Sequence, residues 1–285
     1  YCLLLPSGNE VAQILAIAVD GSVEAFVDHM NQRAEELGCE GTPFAKPHGY
    51  HDENHYTTAY DITRFMKAAM EYDLFQTILT SPNYTLPANG VSEERIIRNT
   101  NALTSNWTYT QYLYGPGTGG KTGTTDEAGN CLVETARKGD MYLISVILGA
   151  EEVKQADGST DARQFSETIK LLNWGFDNFQ RVTLSPDETL VTKVKVNLST
   201  QADEVNVKPL GSITRTLPTD IDLEQVEMVP SLFSESVDAP VEAGQVLGIL
   251  TIRYDGTEYG RLDLVADTAV ERSDFLYYKH QVETF

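Results

Sequence analysis

Two apolar runs, residues 131–136 and 141–148, meet at Lys138-Gly139-Asp140. A turn of that composition between β-rich runs predicts an antiparallel hairpin set in a core. The second run extends to residue 150 as the longest apolar stretch of the chain. A helix needs about 20 residues to cross a bilayer, so this stretch reads as a buried strand. Helical periodicity surrounds it. Residues 23–37 carry Phe26, Val27, Met30, Ala34 and Leu37 at three- and four-residue spacing, closed by Gly38. Residues 58–72 repeat the pattern through Ile62, Phe65, Met66 and Ala69, and residues 164–179 form a third helix ending in Trp174, Phe176 and Phe179.

After Leu184-Ser185-Pro186 the texture changes. Residues 191–198, 204–209, 245–254 and 259–266 read as short strands, and Asp255-Gly256-Thr257-Glu258 is a good hairpin turn. No helix of convincing length is expected in this half, which should be a small all-β sandwich. A chain of 285 residues has room for two such domains, with the boundary placed at 182/183.

The chain holds 21 basic and 42 acidic side chains, a formal charge of −21. Such a field repels nucleic acid, and no basic stripe overcomes it; it also disfavours docking on anionic lipid. Cys2, Cys39 and Cys131 are widely spaced and fit neither a disulfide framework nor a thiolate zinc site.

Three constellations hold residues capable of chemistry. In Gly119-Gly120-Lys121-Thr122-Gly123-Thr124-Thr125, a lysine beside small hydroxyl residues and glycines precedes the hairpin. Its ammonium would attract a carboxylate, Thr122 would donate a hydrogen bond to it, and the glycines would let a ligand lie against the backbone. Gly115 and Gly120 also satisfy P-loop spacing before Lys121-Thr122, but Tyr112-Leu113-Tyr114 is a poor strand and no helix is expected to follow. In the second, Ser7-Gly8-Asn9 stands before a helix, where Ser7 or Asn9 on its own reads as a cap. The third is His48, His51 and His55, with Asp52 and Glu53 among them. Their spacing needs a helix to converge on a metal, whereas Pro47, Gly49 and Asp52 argue for a polar surface loop.

Taken together, Ser-x-Asn followed at a distance by Lys-Thr-Gly is the order of signatures in the penicillin-recognising serine enzymes. The surroundings resemble the D-alanyl-D-alanine carboxypeptidase family in particular. The likeness is carried by Leu5-Pro6-Ser7-Gly8-Asn9, Pro47-His48-Gly49, Gly120-Lys121-Thr122-Gly123-Thr124-Thr125 with Ala128-Gly129-Asn130-Cys131-Leu132, and Leu171-Leu172-Asn173-Trp174-Gly175-Phe176. The tail, with Ala239-Pro240-Val241 and Gly244-Gln245-Val246-Leu247-Gly248, is similar to the family's C-terminal domain. The resemblance implies an α/β (α+β) transpeptidase-like domain with an antiparallel core sheet, then the all-β domain.

It also implies a bacterial cell-envelope enzyme, without metal or other cofactor, that trims D-alanine from peptidoglycan stem pentapeptides through a serine acyl-enzyme trapped by β-lactams. On that footing Ser7 relays a proton to the leaving amine, Asn9 hydrogen-bonds the substrate amide, and Lys121 shapes the electrostatics. Lys121 and Thr122 hold the terminal carboxylate, the Thr124 N–H is an oxyanion donor, and Gly8 and Gly123 border the substrate. The chain departs from the family at one point. Ser-x-x-Lys, which carries the nucleophile and lies upstream of Ser-x-Asn, occurs nowhere in it, and only six residues precede Ser7. The expectation is a domain truncated at its N-terminus, inactive alone, and prone to self-association through an exposed sheet edge. A non-catalytic homologue that binds peptidoglycan or protein is the alternative. A β-lactamase fits less well, because the all-β tail would be surplus.

Overall fold

The computed structural model describes residues 1–187 and 189–284 and divides into two compact units, Tyr1–Asp177 and Asn178 onward. The first begins with α1 (Asn9–Asp20), α2 (Val23–Glu36), α3 (Ala59–Ala69) and α4 (Asp73–Leu79), followed by β1 (Asn83–Leu86) and β2 (Arg95–Arg98). Then come β3 (Gly117–Thr125), β4 (Gly129–Lys138), β5 (Met141–Ala150), the short pair β6 (Glu152–Lys154) and β7 (Thr160–Ala162), and α5 (Arg163–Asn178).

Local chemistry sets the helix ends. Ser22 Oγ accepts the Ala25 N–H at 3.1 Å to open α2, and Thr58 Oγ1 accepts the Asp61 N–H at 3.1 Å to open α3. Buried Asp61 then accepts from Gly41 N at 2.9 Å and Thr42 Oγ1 at 2.8 Å, which ties the loop after α2 onto α3.

The expected hairpin is present as β4 and β5, with Lys138 opposite Met141 across the turn. Sequence periodicity missed β3, which pairs antiparallel with β4 from Gly117 to Thr125 and completes a sheet of order β3-β4-β5. A strand of glycines and threonines has little side chain to bury, so no apolar alternation marks it. Its glycines instead answer to close neighbours. A Cβ on Gly119, whose φ is +104°, would lie 2.7 Å from the Leu79 carbonyl carbon, and one on Gly120 would run into Val133 O and Glu134 Oε2. Leu132 of β4 joins Ala102, Leu103, Tyr112, Ala162 and Phe165 in the core beneath the sheet.

The second unit is β-rich, as expected. It comprises β8 (Phe179–Leu184), β9 (Thr192–Asn197), β10 (Glu204–Pro209), β11 (Ile213–Pro218), β12 (Glu227–Leu232), β13 (Ser236–Asp238), β14 (Val246–Tyr254) and β15 (Thr257–Ala266). Six strands form one sheet of order β12-β14-β15-β10-β9-β13, while β8 and β11 pair separately. Leu184 of β8 and Leu217 of β11 pack with Ile221 and with Ile252 of β14, so the pair lies on the larger sheet.

One expectation for this half fails. A helix, α6 (Asp274–Glu283), follows the strands, opened by Ser273 Oγ accepting the Leu276 N–H at 3.4 Å. None of its residues is buried. It owes its form to the cap and local propensity rather than to a core-facing stripe, which is the signal that periodicity detects.

Candidate active site

Ser7 and Lys121 lie 114 residues apart in the chain, yet Lys121 Nζ donates a hydrogen bond to Ser7 Oγ. Three segments make this meeting possible. The first is a tight turn before α1, where Leu5 N bonds Tyr1 O at 3.0 Å, Gly8 N bonds Cys2 O at 3.1 Å, and Leu5 is fully buried. Ser7 follows Pro6 with φ +57°, a left-handed conformation that costs a non-glycine residue energy. The capping reading of Ser7 and Asn9 is thereby set aside: the N-cap is Gly8, no side chain caps α1, and Asn9 is the first helical residue.

The second segment is β3. Lys121 Nζ also donates to the Thr122 carbonyl at 2.7 Å. Burial pushes the Lys121 ammonium from 10.5 down to about 8, and among the described residues no carboxylate offsets the lost hydration. Thr122 Oγ1 lies 2.6 Å from Thr100 Oγ1, and Thr124 Oγ1 donates to Asn130 Oδ1 at 3.0 Å. A Cβ on Gly123 would meet nothing within 4 Å, so the backbone there is open.

The third segment, Asn99-Thr100-Asn101, was not singled out from sequence. Thr100 N and Oγ1 both donate to Leu5 O, at 3.2 and 3.3 Å. Asn99 Nδ2 donates to Leu79 O and Ser81 O at 3.2 and 3.1 Å. Asn101 Nδ2 donates to Glu134 Oε2 at 2.6 Å. In sequence these residues look like any polar connector; the only available signal was their position between the apolar pairs Ile96-Ile97 and Ala102-Leu103.

These segments enclose a cleft of about 730 Å³. Ser7, Asn9, Thr100, Lys121, Thr122, Gly123 and Thr124 all line it, with Tyr50 and Tyr109 contributing aromatic wall. Gly8 is not a lining residue and serves as the helix cap. The P-loop reading is excluded, because Gly117–Thr125 is itself a strand and leads into β4, not into a helix. The three histidines lie in the loop between α2 and α3 and turn to separate partners. His48 Nδ1 accepts from Tyr50 N at 3.2 Å, His55 Nδ1 accepts from Ala45 N at 3.1 Å, and the His51 carbonyl accepts from Lys46 Nζ at 2.9 Å. Burial lowers the His55 pKa. Among the described residues no three His, Cys, Asp or Glu side chains converge as metal ligands.

In chemical terms the cleft offers a cation, several hydroxyls and open strand backbone at one place. A carboxylate can sit against Lys121 and Thr122 while a peptide lies along β3.

The family model for D-alanyl-D-alanine carboxypeptidase matches residues 1–152, and that for the penicillin-binding protein 5 C-terminal domain matches residues 179–272. D-alanyl-D-alanine carboxypeptidase DacC of Escherichia coli is 32% identical over 96% of this chain and 63% of its own length. DacF of Bacillus subtilis is 28% identical over 97% of this chain and 66% of its own. The chain thus spans a little under two thirds of the length of these curated relatives. Among solved structures, penicillin-binding protein 5 from Haemophilus influenzae aligns with a TM-score of 0.68 at 26% identity, covering 95% of this chain and 73% of that one.

Proposed function

The chain belongs to the D-alanyl-D-alanine carboxypeptidase family, and from that premise we propose that its cleft receives peptidoglycan stem peptides ending in D-alanyl-D-alanine. The reaction is removal of the terminal D-alanine by acyl transfer to a serine, and β-lactams are competing acyl donors. The single observation that carries this reading is the meeting of Ser7 with Lys121 beside Thr122 in one cleft.

Each lining residue then has a task. Lys121 and Thr122 hold the terminal carboxylate, which sets the scissile bond along β3. Asn9 donates to the amide oxygen of the acyl side. The Thr124 N–H faces the oxygen on which negative charge develops; such prepared donors supply several kcal/mol of transition-state stabilisation. Ser7 passes a proton to the departing amine. Lys121, with its pKa near 8, keeps that hydroxyl oriented and can exchange a proton near neutral pH. The nucleophile belongs to a Ser-x-x-Lys that these 285 residues do not contain. The chain alone is therefore a binder of stem peptide that forms no acyl-enzyme. A peptidoglycan substrate implies that it works in the cell envelope; among the described residues no helix is long and apolar enough to cross a membrane.

Calorimetric titration of the full chain with diacetyl-lysyl-D-alanyl-D-alanine tests this reading. Binding is expected, with at least tenfold weaker binding for the L-alanyl-L-alanine isomer and for Thr122→Val. Equal affinity for the two isomers, or no binding of either, overturns it. A fluorescent penicillin is expected to leave the chain unlabelled, and a covalent adduct would refute the statement about the nucleophile.

A further inference from the structure

We propose that Glu134 is a positioning residue for the cleft, its buried carboxyl clamping the Asn99-Thr100-Asn101 segment onto β3. The inference deepens the proposed function and rests on it only for the identity of the ligand.

Glu134 sits in the middle of β4, opposite Gly120 of β3, and is 0% exposed. Its two oxygens serve different segments: Oε2 accepts from Asn101 Nδ2 at 2.6 Å, and Oε1 accepts from the Gly119 N–H at 3.3 Å. The space it fills exists because β3 is bare of side chains there. A Cβ on Gly117 would stand 3.1 Å from Oε1, and one on Gly120 would collide with Oε2. Asn101 is likewise 0% exposed, and its own Oδ1 accepts from Leu103 N at 3.0 Å, so its amide cannot turn elsewhere. The residue between these contacts is Thr100, which touches Thr122 Oγ1 and Leu5 O. One carboxyl thus joins two of the segments that form the cleft, and Thr100 carries the link on to the third through Leu5 O, although Glu134 does not line the cleft itself.

Among the described residues no charged group balances it. Burial pushes the carboxyl from 4.5 up to about 8, and the only opposing influences are the hydrogen bonds from Asn101 and Gly119. Asn101 and the β3 glycines bring no titratable group to it, and Lys121 in the next β3 position is committed to Ser7 and the Thr122 carbonyl. At neutral pH Glu134 is therefore mostly uncharged, which spares the site an uncompensated buried charge. Above pH 8 ionisation strengthens the two hydrogen bonds the carboxyl accepts, but its desolvated charge has to be hydrated, so the segment opens to admit water.

Hydrogen–deuterium exchange on the full chain tests this without requiring any ligand. At pH 6, Glu134→Ala is expected to raise exchange at least tenfold in residues 99–103 and 117–122, while β5 and α5 keep wild-type protection. Glu134→Gln, which preserves size and one acceptor, is expected to stay within threefold. After correction for intrinsic rates, the same two segments of the wild type are expected to open as pH passes 8, and those of Glu134→Gln are not. Lys121 titrates in both proteins, so their difference isolates Glu134. Unchanged protection of both segments in Glu134→Ala, or a rise spread evenly over the whole unit, overturns the proposal. Should Glu134→Ala fail to fold, Asn101→Ala removes the same contact and carries the same two outcomes. Tripeptide affinity is expected to fall at least tenfold in Glu134→Ala. If the wild type binds no tripeptide, the functional reading falls while the exchange result still decides the role of Glu134.

Discussion

Replacing Glu134 by glutamine should flatten the pH dependence of the first unit's stability, by an amount that follows from its burial. The carboxyl titrates near 4.5 when unfolded and near 8 when folded. Between those values the folded state holds a proton that the unfolded state has released, so unfolding loses a proton and stability falls as pH rises. The contribution is fully present below pH 4.5 and gone above about pH 8. Each pH unit inside that window changes stability by about 1.36 kcal/mol, so the interval from pH 5 to 8 corresponds to roughly 4 kcal/mol. At a urea m-value of about 2 kcal/mol/M, the wild-type midpoint should move down by about 2 M relative to Glu134→Gln over that interval. Both tryptophans, Trp107 and Trp174, belong to the first unit, so tryptophan fluorescence follows this unit without the second. Lys121 contributes with the opposite sign and at higher pH: its folded pKa is depressed to about 8, so its share of stability increases from pH 8 toward 10.5, equally in both proteins. Parallel midpoints for the two proteins from pH 5 to 8 would refute the reasoning, since they would mean that the carboxyl is already ionised, and solvated, in the folded state.

Two further outcomes follow from the sheet. Gly119→Ala should destabilise the first unit by roughly 3 kcal/mol, from a strained φ and a Cβ placed against the Leu79 backbone, whereas Gly123→Ala should cost less than about 1 kcal/mol; urea midpoints compare them. β5 has one ladder neighbour, β4, and carries half-exposed Tyr142 and Leu148, so light scattering should show the full chain associating with rising concentration and Tyr142→Lys reducing that association; a monomer at all concentrations would count against edge pairing.

How far the amino-acid pattern announces this structure depends on where each contact lies. The β4–β5 hairpin was legible because apolar runs and a turn are local, and the same holds for α2, α3 and α5. β3 was not, because a Gly–Thr strand is held by what its neighbours place against it and not by its own apolar alternation. Ser7 read as a helix cap because residue type alone does not reveal a left-handed backbone. Glu134 lay hidden inside a run that reads as apolar; its partner Asn101 is 33 residues away, and no spacing rule connects the two. The cleft residues themselves were found through the pairing of Ser-x-Asn with Lys-Thr-Gly, a resemblance and not a periodicity. α6 escaped because it buries nothing.

The bonds from Thr100 to Leu5 and from Lys121 to Ser7 close loops of 95 and 114 residues. Closures of that length are costly in chain entropy and slow to form, so they come after the local hairpin and helices. During synthesis the turn at Ser7 emerges before Thr100 and Lys121 and waits, without these partners, until β3 has left the ribosome. The cleft is for that reason a late property of the fold: a ligand that fits it recognises only chains that have finished assembling, and a partly folded chain offers it no partial site.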